Sequence, residues 1–134
     1  MPSVLNVDTL TDAAGTGPVT LTKQSAAKAF VCFNGTGTLA VIGSFNQSSM
    51  TDNGAGDYSL TVSNAMNDAN YSVQVSNTTY ASTYAGWAST HRNGSNGAFV
   101  APTTTVTRMN TMRDTNSSSE DGQRAEIGIH GDLA

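Results

Sequence analysis

The sequence predicts an all-β protein: an antiparallel β-sandwich, jelly-roll-like, with about eight short strands and an extended N-terminal arm. Asn-Gly and Asp-Gly pairs fall in four clusters, apolar and polar residues alternate between them, and threonine is abundant. Such pairs accept the positive φ angles of hairpin turns, and β-branched side chains fit a pleated surface. Four turn clusters indicate about eight strands. The pattern leaves the strand order open, so a jelly roll and other sandwiches fit equally.

The first 22 residues are interpreted as an arm that precedes a sandwich domain of residues 23–134. Leu5, Val7 and Leu10 form a weak apolar stretch, and residues 12–18, rich in glycine and closed by a proline, interrupt it. We expect these three apolar side chains to attach the arm to a neighbouring copy or to a larger assembly. An edge strand of the same domain is the alternative.

Two apolar runs flank the turn pair Asn34-Gly35. Residues 30–33 precede it and residues 38–42 follow it, and both runs are apolar on both faces. We therefore expect them to be the most deeply buried strands, with Cys32 as a small core residue. Half-buried strands with one wet face are indicated by strict alternation in three further segments, residues 58–63, 71–76 and 124–129.

An aromatic segment, residues 80–93, is the one candidate ligand site, and its composition favours a strand over a helix. Aromatic faces stack on sugar rings or apolar patches, and Arg and Asn side chains supply hydrogen bonds. Packing within the core or between subunits is the alternative use of these aromatic residues. The candidate receptor-binding residues are Tyr80, Tyr84, Trp87, His91, Arg92 and Asn93.

The composition indicates a thin core. Leu, Ile, Val and Phe number 23 of 134 residues, and charged residues are 12% of the chain, about half the usual share. The net charge of −4 is too small for a disordered chain. Small domains with thin cores are often completed by oligomerisation, so we expect a homo-oligomer.

Several functional classes are excluded by composition. Six scattered Lys and Arg residues and a pI near 4.7 argue against nucleic-acid binding. The chain has no run of 18 apolar residues, which a membrane-spanning helix would need, and the N-terminus lacks the pattern of a signal peptide. A single cysteine rules out an internal disulfide framework.

No residue pattern predicts catalysis, a metal site or a cofactor, so we expect a protein that is not an enzyme. The chain has two histidines, His91 and His130, and no Gly-x-Ser-x-Gly motif. One cysteine and two histidines are too few for a zinc site within one chain. Asp52 and Asp57 could pair as glycosidase carboxylates or begin a calcium loop, but a tight turn capped by Asp and Asn side chains explains them better.

Four segments carry a resemblance: residues 44–60 (SFNQSSMTDNGAGDYSL), 28–41 (KAFVCFNGTGTLAV), 7–24 (VDTLTDAAGTGPVTLTKQ) and 130–134 (HGDLA). Together they resemble a family of small virion structural proteins of tailed bacteriophages, of the tail-fibre or appendage type, often from phages of aquatic bacteria. The resemblance implies a trimer made in the host cytoplasm and built into the virion, with other phage virion proteins as partners. Leu5, Val7 and Leu10 of the arm would then be the virion-attachment residues. It leaves open a capsid decoration protein that stabilises the phage head, or a carbohydrate-binding module that recognises a host-surface glycan.

Overall fold

The computed structural model describes residues 26–78, 86–91, 98–113 and 118–134. The predicted N-terminal arm, with its candidate attachment residues Leu5, Val7 and Leu10, lies outside the described residues. In the described ranges, no helix is long and apolar enough to cross a membrane.

The described residues form eight strands in two antiparallel sheets of four, which confirms the predicted all-β sandwich. The first sheet has the order β2-β1-β8-β5 and the second the order β3-β4-β7-β6. The strands are β1 (Ala29–Asn34), β2 (Ala40–Phe45), β3 (Gln47–Gly54), β4 (Asp57–Val62), β5 (Ser72–Thr78), β6 (Gly86–Thr90), β7 (Val106–Arg113) and β8 (Arg124–His130).

Two of the predicted turn pairs join neighbouring strands. Asn34-Gly35 begins the connection between β1 and β2, and Asn53-Gly54 stands where β3 turns into β4. Gly54 and Gly56 both have positive φ angles, 129° and 65°, which only glycine adopts without strain. The pairs Asn93-Gly94 and Asn96-Gly97 lie outside the described residues, although the strands on either side, β6 and β7, do pair.

The last turn pair, Asp121-Gly122, does not form a hairpin. The strands around it, β7 and β8, belong to different sheets, so this segment carries the chain from one sheet to the other. The reason is visible in its contacts, because Oδ1 of Asp121 accepts hydrogen bonds from the Tyr58 hydroxyl and the Gly56 amide, both at 2.7 Å. The Asp121 side chain therefore does not cap a local turn but binds Tyr58 of β4 and the turn before that strand.

The core lies between the sheets and is built from the inward faces of β1, β4, β7 and β8. Phe33 and Tyr58 meet edge to face at its centre, with ring centroids 4.8 Å apart. The buried cluster comprises Ala29, Val31, Phe33, Tyr58, Leu60, Val62, Met66, Met109, Ala125, Ile127 and Ile129. Eight of these eleven are inward members of the predicted alternating strands or of the run at residues 30–33, and the other three are Ala29, Met66 and Met109.

The second apolar run occupies a different place from the one predicted. Residues 38–42 lead into β2, which is the outer strand of the first sheet, and most of its side chains are exposed. The register between β1 and β2 shifts beyond Cys32, so Ile42 has no partner residue in β1 and its side chain is 60% exposed. The run at residues 38–42, which is apolar on both faces, therefore belongs to an exposed edge strand. Of the two strands predicted to be most buried, only β1 is central in its sheet.

Asn46 makes the corner at which the chain passes from the first sheet to the second. It has a positive φ of 53°, and its amide nitrogen donates to the carbonyls of Lys28 and Asn64 at 3.0 and 3.2 Å. Its Oδ1 accepts from the Asn64 amide at 2.7 Å. A single side chain thus satisfies three backbone groups where strand pairing ends.

Candidate functional site

A groove lies on the outer face of the first sheet, and we call it the Gly128 groove. It has a volume of about 490 Å³, which is in the range of small-molecule sites. Its side walls come from β1, β5 and β8, and the residues that shape it are Phe30, Cys32, Gln74, Ser76, Arg124, Glu126 and Gly128.

The register of the sheet explains why these residues share one face. Val31 and Ile127 point into the core, so their neighbours along each strand point outward. Residues directly opposite each other on paired strands share a face. One outward row therefore contains Phe45, Phe30, Gly128 and Gln74, and the next contains Gly43, Cys32, Glu126 and Ser76.

Gly128 forms the floor of the groove. A Cβ atom built on it would meet nothing closer than Nε2 of His130, 4.0 Å away. Its register partners, Phe30 on one side and Gln74 on the other, do carry side chains, so the missing side chain leaves a cradle between them. Glycine inside a strand weakens it and often marks a place where a ligand approaches the backbone.

The polar end of the groove is organised around Glu126. Its carboxylate accepts hydrogen bonds at 3.1 Å from both Arg124 Nε and Ser76 Oγ. These bonds, that of Arg124 above all, lower the pKa of Glu126 below its ordinary value, so the carboxylate is charged at neutral pH. Arg124 compensates that charge, and the pair stands half exposed at the mouth of the groove.

Cys32 lies in the same row as Glu126 and not in the core between the sheets. The thiol is buried, and burial raises its pKa, with a further rise from the hydrogen bond to Glu126. A thiol with a raised pKa is a poor nucleophile at neutral pH. We therefore assign Cys32 a packing role beneath the groove.

The apolar end of the groove is aromatic. Phe30 and Phe45 are register partners on β1 and β2, and their rings stack with centroids 6.4 Å apart and 22° between planes. Phe30 is 43% exposed and Phe45 54% exposed, so part of each ring is open to solvent. An aromatic face and a hydrogen-bonding array thus lie at opposite ends of one glycine floor.

The aromatic segment predicted from the sequence is described only in part. Tyr80, Tyr84, Arg92 and Asn93 lie outside the described residues. Trp87 lies on β6 opposite Met112 of β7, and its side chain is 60% exposed, so it does not fill the core. The described part of the predicted segment is strand, as β6 spans Gly86–Thr90.

His91 follows directly after β6 and has a positive φ of 57°. Its Nε2 atom lies 3.4 Å from Thr107 Oγ1, and its ring meets Phe99 edge to face at 6.1 Å. Burial lowers the pKa of His91 below its ordinary value, so the ring is neutral at neutral pH. Trp87 and His91 are four positions apart on the second sheet, away from the Gly128 groove.

Asp52 and Asp57 both have structural roles in the hairpin of β3 and β4: Asp52 caps the turn and Asp57 forms an ion pair. Oδ1 of Asp52 accepts from the Gly54 amide at 2.9 Å, which caps the turn. Asp57 is almost fully buried and takes two hydrogen bonds of 2.6 Å from Arg108 of the adjacent strand. Among the residues that the structure describes, no group of three His, Cys, Asp or Glu side chains could hold a metal ion.

Comparisons with known proteins give no relative for this chain. No protein-family model matches it, and neither a curated protein nor a solved structure does. The function must therefore be argued from the surfaces described above.

The sequence prediction missed the Gly128 groove. Its polar members are outward residues of strands that were predicted correctly, but Gln74 and Glu126 are 52 positions apart in the chain and meet only through β8 pairing with β5. One signal was present in the sequence: Gly128 interrupts an otherwise regular strand between Ile127 and Ile129. An isolated glycine inside a strand pattern predicts a bulge or a close backbone approach.

Proposed function

We propose that this chain is a non-enzymatic structural protein that works as a homo-oligomer, assembled through the outer edge of β2. We further propose that the assembly is a phage virion, in which the chain is a trimeric tail-fibre or appendage component that takes part in assembly and host-surface attachment. The observation that carries the proposal is the apolar character of the β2 edge.

The two sheets differ in the edges that they present at this side of the sandwich. No strand lies beyond β2 or beyond β3 in the described part of the chain. The exposed residues of β3 are polar, among them Ser49, Thr51 and Asp52, as is usual for an edge strand that does not pair with another chain. The edge of β2 instead exposes Val41, Ile42 and Phe45.

An apolar edge strand is a template for pairing with another chain. It offers unpaired backbone N–H and C=O groups together with side chains that gain about 1.5–3 kcal/mol each when fully buried. The inter-sheet core is small, with 11 side chains in its buried cluster among the described residues. Burial of apolar side chains between copies would therefore add stability that a single copy does not have. Symmetric association repeats the same contact in every subunit.

The virion and the trimer rest on the resemblance of four sequence segments to phage appendage proteins. A capsid decoration protein that stabilises the phage head would use the same fold and the same edge with a different partner. Labelling purified virions with an antibody against this chain separates the two, because one places the label on the tail and the other on the head.

Oligomeric state tests the proposed edge. We expect size-exclusion chromatography with light scattering to give an oligomer whose mass stays constant from low to high micromolar concentration. Ile42→Lys, which puts a charge on the β2 edge, should reduce the mass toward that of one chain. Thr51→Lys on the β3 edge is the matched control and should leave the mass unchanged. A wild-type monomer, or an oligomer that Ile42→Lys does not affect, would contradict the proposed interface.

A carbohydrate-binding, host-recognition role is the second alternative, and the exposed ring of Trp87 favours it. In that case Trp87→Ala should abolish binding on a glycan array while the oligomer stays intact. A binding profile that Trp87→Ala leaves unchanged would remove Trp87 from the site.

A further inference from the structure

We propose that the Gly128 groove binds a neutral saccharide, with a sugar ring lying over Gly128 and stacked on Phe30, and with its hydroxyls bonded to Gln74, Glu126 and Arg124. This site does not include Trp87, so it is a second location for carbohydrate binding. It adjoins the β2 edge, because Phe30 stacks on Phe45 of β2, but Phe45 does not line the groove.

The shape of the groove is the first argument. The Cβ position of Gly128 is open space, whereas its register partners Phe30 and Gln74 both carry side chains. A strand gains from a β-branched residue at such a position, because it would pack against cross-strand neighbours. The glycine instead leaves a volume of about 490 Å³ open to solvent, which is large enough for a small ligand.

The chemistry of the two ends is the second argument. A pyranose ring has an apolar C–H face and a rim of hydroxyls that both donate and accept hydrogen bonds. Phe30 offers an aromatic face on which the C–H face of the sugar can stack. For the sugar hydroxyls, Gln74 supplies an amide that donates and accepts, Glu126 supplies acceptor oxygens, and Arg124 supplies donors.

Charge balance is the third argument, and it selects a neutral ligand. Arg124 and Glu126 are paired at 3.1 Å, and no other charged side chain among the described residues lines the groove. An anion would be attracted by Arg124 but repelled by Glu126, and a cation would be attracted by Glu126 but repelled by Arg124. A hydroxylated ligand without charge uses both groups without breaking their ion pair.

Saturation-transfer difference NMR with the methyl glycosides of glucose, galactose, mannose and N-acetylglucosamine tests the proposal, since it detects weak ligands of large assemblies. We expect at least one of the four to give a signal that increases with its concentration. Gly128→Val, which fills the floor, should weaken that binding by at least about tenfold. Gln74→Ala, which removes an exposed amide, should also weaken it.

Gly43→Val is the matched control. Gly43 lies on the same outer face, its Cβ would also meet nothing within 4 Å, and it does not line the groove. This variant should bind like the wild type, and circular dichroism should show that both valine variants fold. The proposal is overturned if none of the four glycosides binds, if Gly128→Val binds as tightly as the wild type, or if a methyl glucuronide binds better than every neutral sugar.

The same variants separate this proposal from the assembly proposal. Gly128→Val should retain the wild-type mass in light scattering, because the residues that line the groove belong to β1, β5 and β8 and not to β2. Loss of binding with an intact oligomer supports the groove as a separate site. Loss of both together would mean that the groove is part of the subunit interface and would overturn it as a saccharide site.

Discussion

The Tyr58 hydroxyl donates a 2.7 Å hydrogen bond to Asp121, a residue 63 positions later in the chain. The bond joins β4 of the second sheet to the segment that enters β8 of the first. The same Oδ1 atom of Asp121 also accepts from the Gly56 amide, so one carboxylate fixes both the strand and the turn before it. The ring of Tyr58 is fully buried against Phe33.

Tyr58→Phe should lower the free energy of unfolding by about 1.5–3 kcal/mol, because it removes a hydrogen bond to a charged group inside the sandwich. Tyr71→Phe is the control. The hydroxyl of Tyr71 donates to the neutral carbonyl of Thr103 at 2.8 Å, so its loss should cost only about 1 kcal/mol. Urea denaturation measures both, and equal losses would contradict the special role of Asp121.

Alkaline pH should destabilise the protein through Tyr58. Burial first, and then the hydrogen bond to Asp121, raise the pKa of Tyr58 well above its ordinary value of 10.0. Below about pH 10 the tyrosine is protonated in both the native and the unfolded chain, so its contribution to stability is complete. Above that pH the unfolded chain loses a proton that the native state retains, and the free energy of unfolding falls.

The comparison between wild type and Tyr58→Phe isolates this effect from the other tyrosines. Urea denaturation at neutral pH and above pH 10 should show a larger loss of stability for the wild type than for the variant. Parallel losses in the two proteins would show that Tyr58 titrates normally.

Arg108→Ala should cost about 3–5 kcal/mol, because it takes the cation from an almost fully buried carboxylate. Arg108 binds Asp57 through two bonds of 2.6 Å, and the side chain of Asp57 is 3% exposed. The control is Arg124→Ala, which breaks the exposed pair with Glu126 and should leave thermal unfolding unchanged. A similar, small effect of both substitutions would mean that the buried ion pair does not stabilise the fold.

Gly56→Ala should destabilise the protein more than Gly37→Ala does. Both glycines have similar positive φ angles, 65° and 71°, so both substitutions carry the same backbone cost of about 1–2 kcal/mol. A Cβ at Gly56 would also lie 2.6 Å from the Glu120 amide nitrogen, whereas Gly37 is open. The clash should add about 1–3 kcal/mol, measured by chemical denaturation. Equal costs would show that the turn and residue 120 can move apart.

The alternating strands and two of the four turn clusters could be predicted because their signals are local. The alternation of Tyr58, Leu60 and Val62 with polar residues reports a half-buried strand, and Asn53-Gly54 reports the turn before it. Both depend on backbone geometry over a few residues. The turn clusters predicted about eight strands, and the described residues form eight, although no residue pattern marked β3 at Gln47–Gly54.

The exposed position of β2 and the crossing at Asp121-Gly122 could not be predicted in this way. An apolar run such as residues 38–42 fits a central strand or an edge that another chain covers, since local periodicity does not report what lies beside a strand. A turn pair likewise does not report whether its side chain caps the turn or binds a distant hydroxyl.

The sequence by itself therefore determined the class of fold, the approximate number of strands and the inward face of the regularly alternating strands, because those follow from local turn signals and the two-residue period of a pleated chain. The tertiary structure alone decided that β8 lies between β1 and β5, and this pairing brings Phe30, Gln74 and Glu126 around Gly128. Sheet order is set by contacts between segments far apart in the chain, so the groove exists only once the strands are paired.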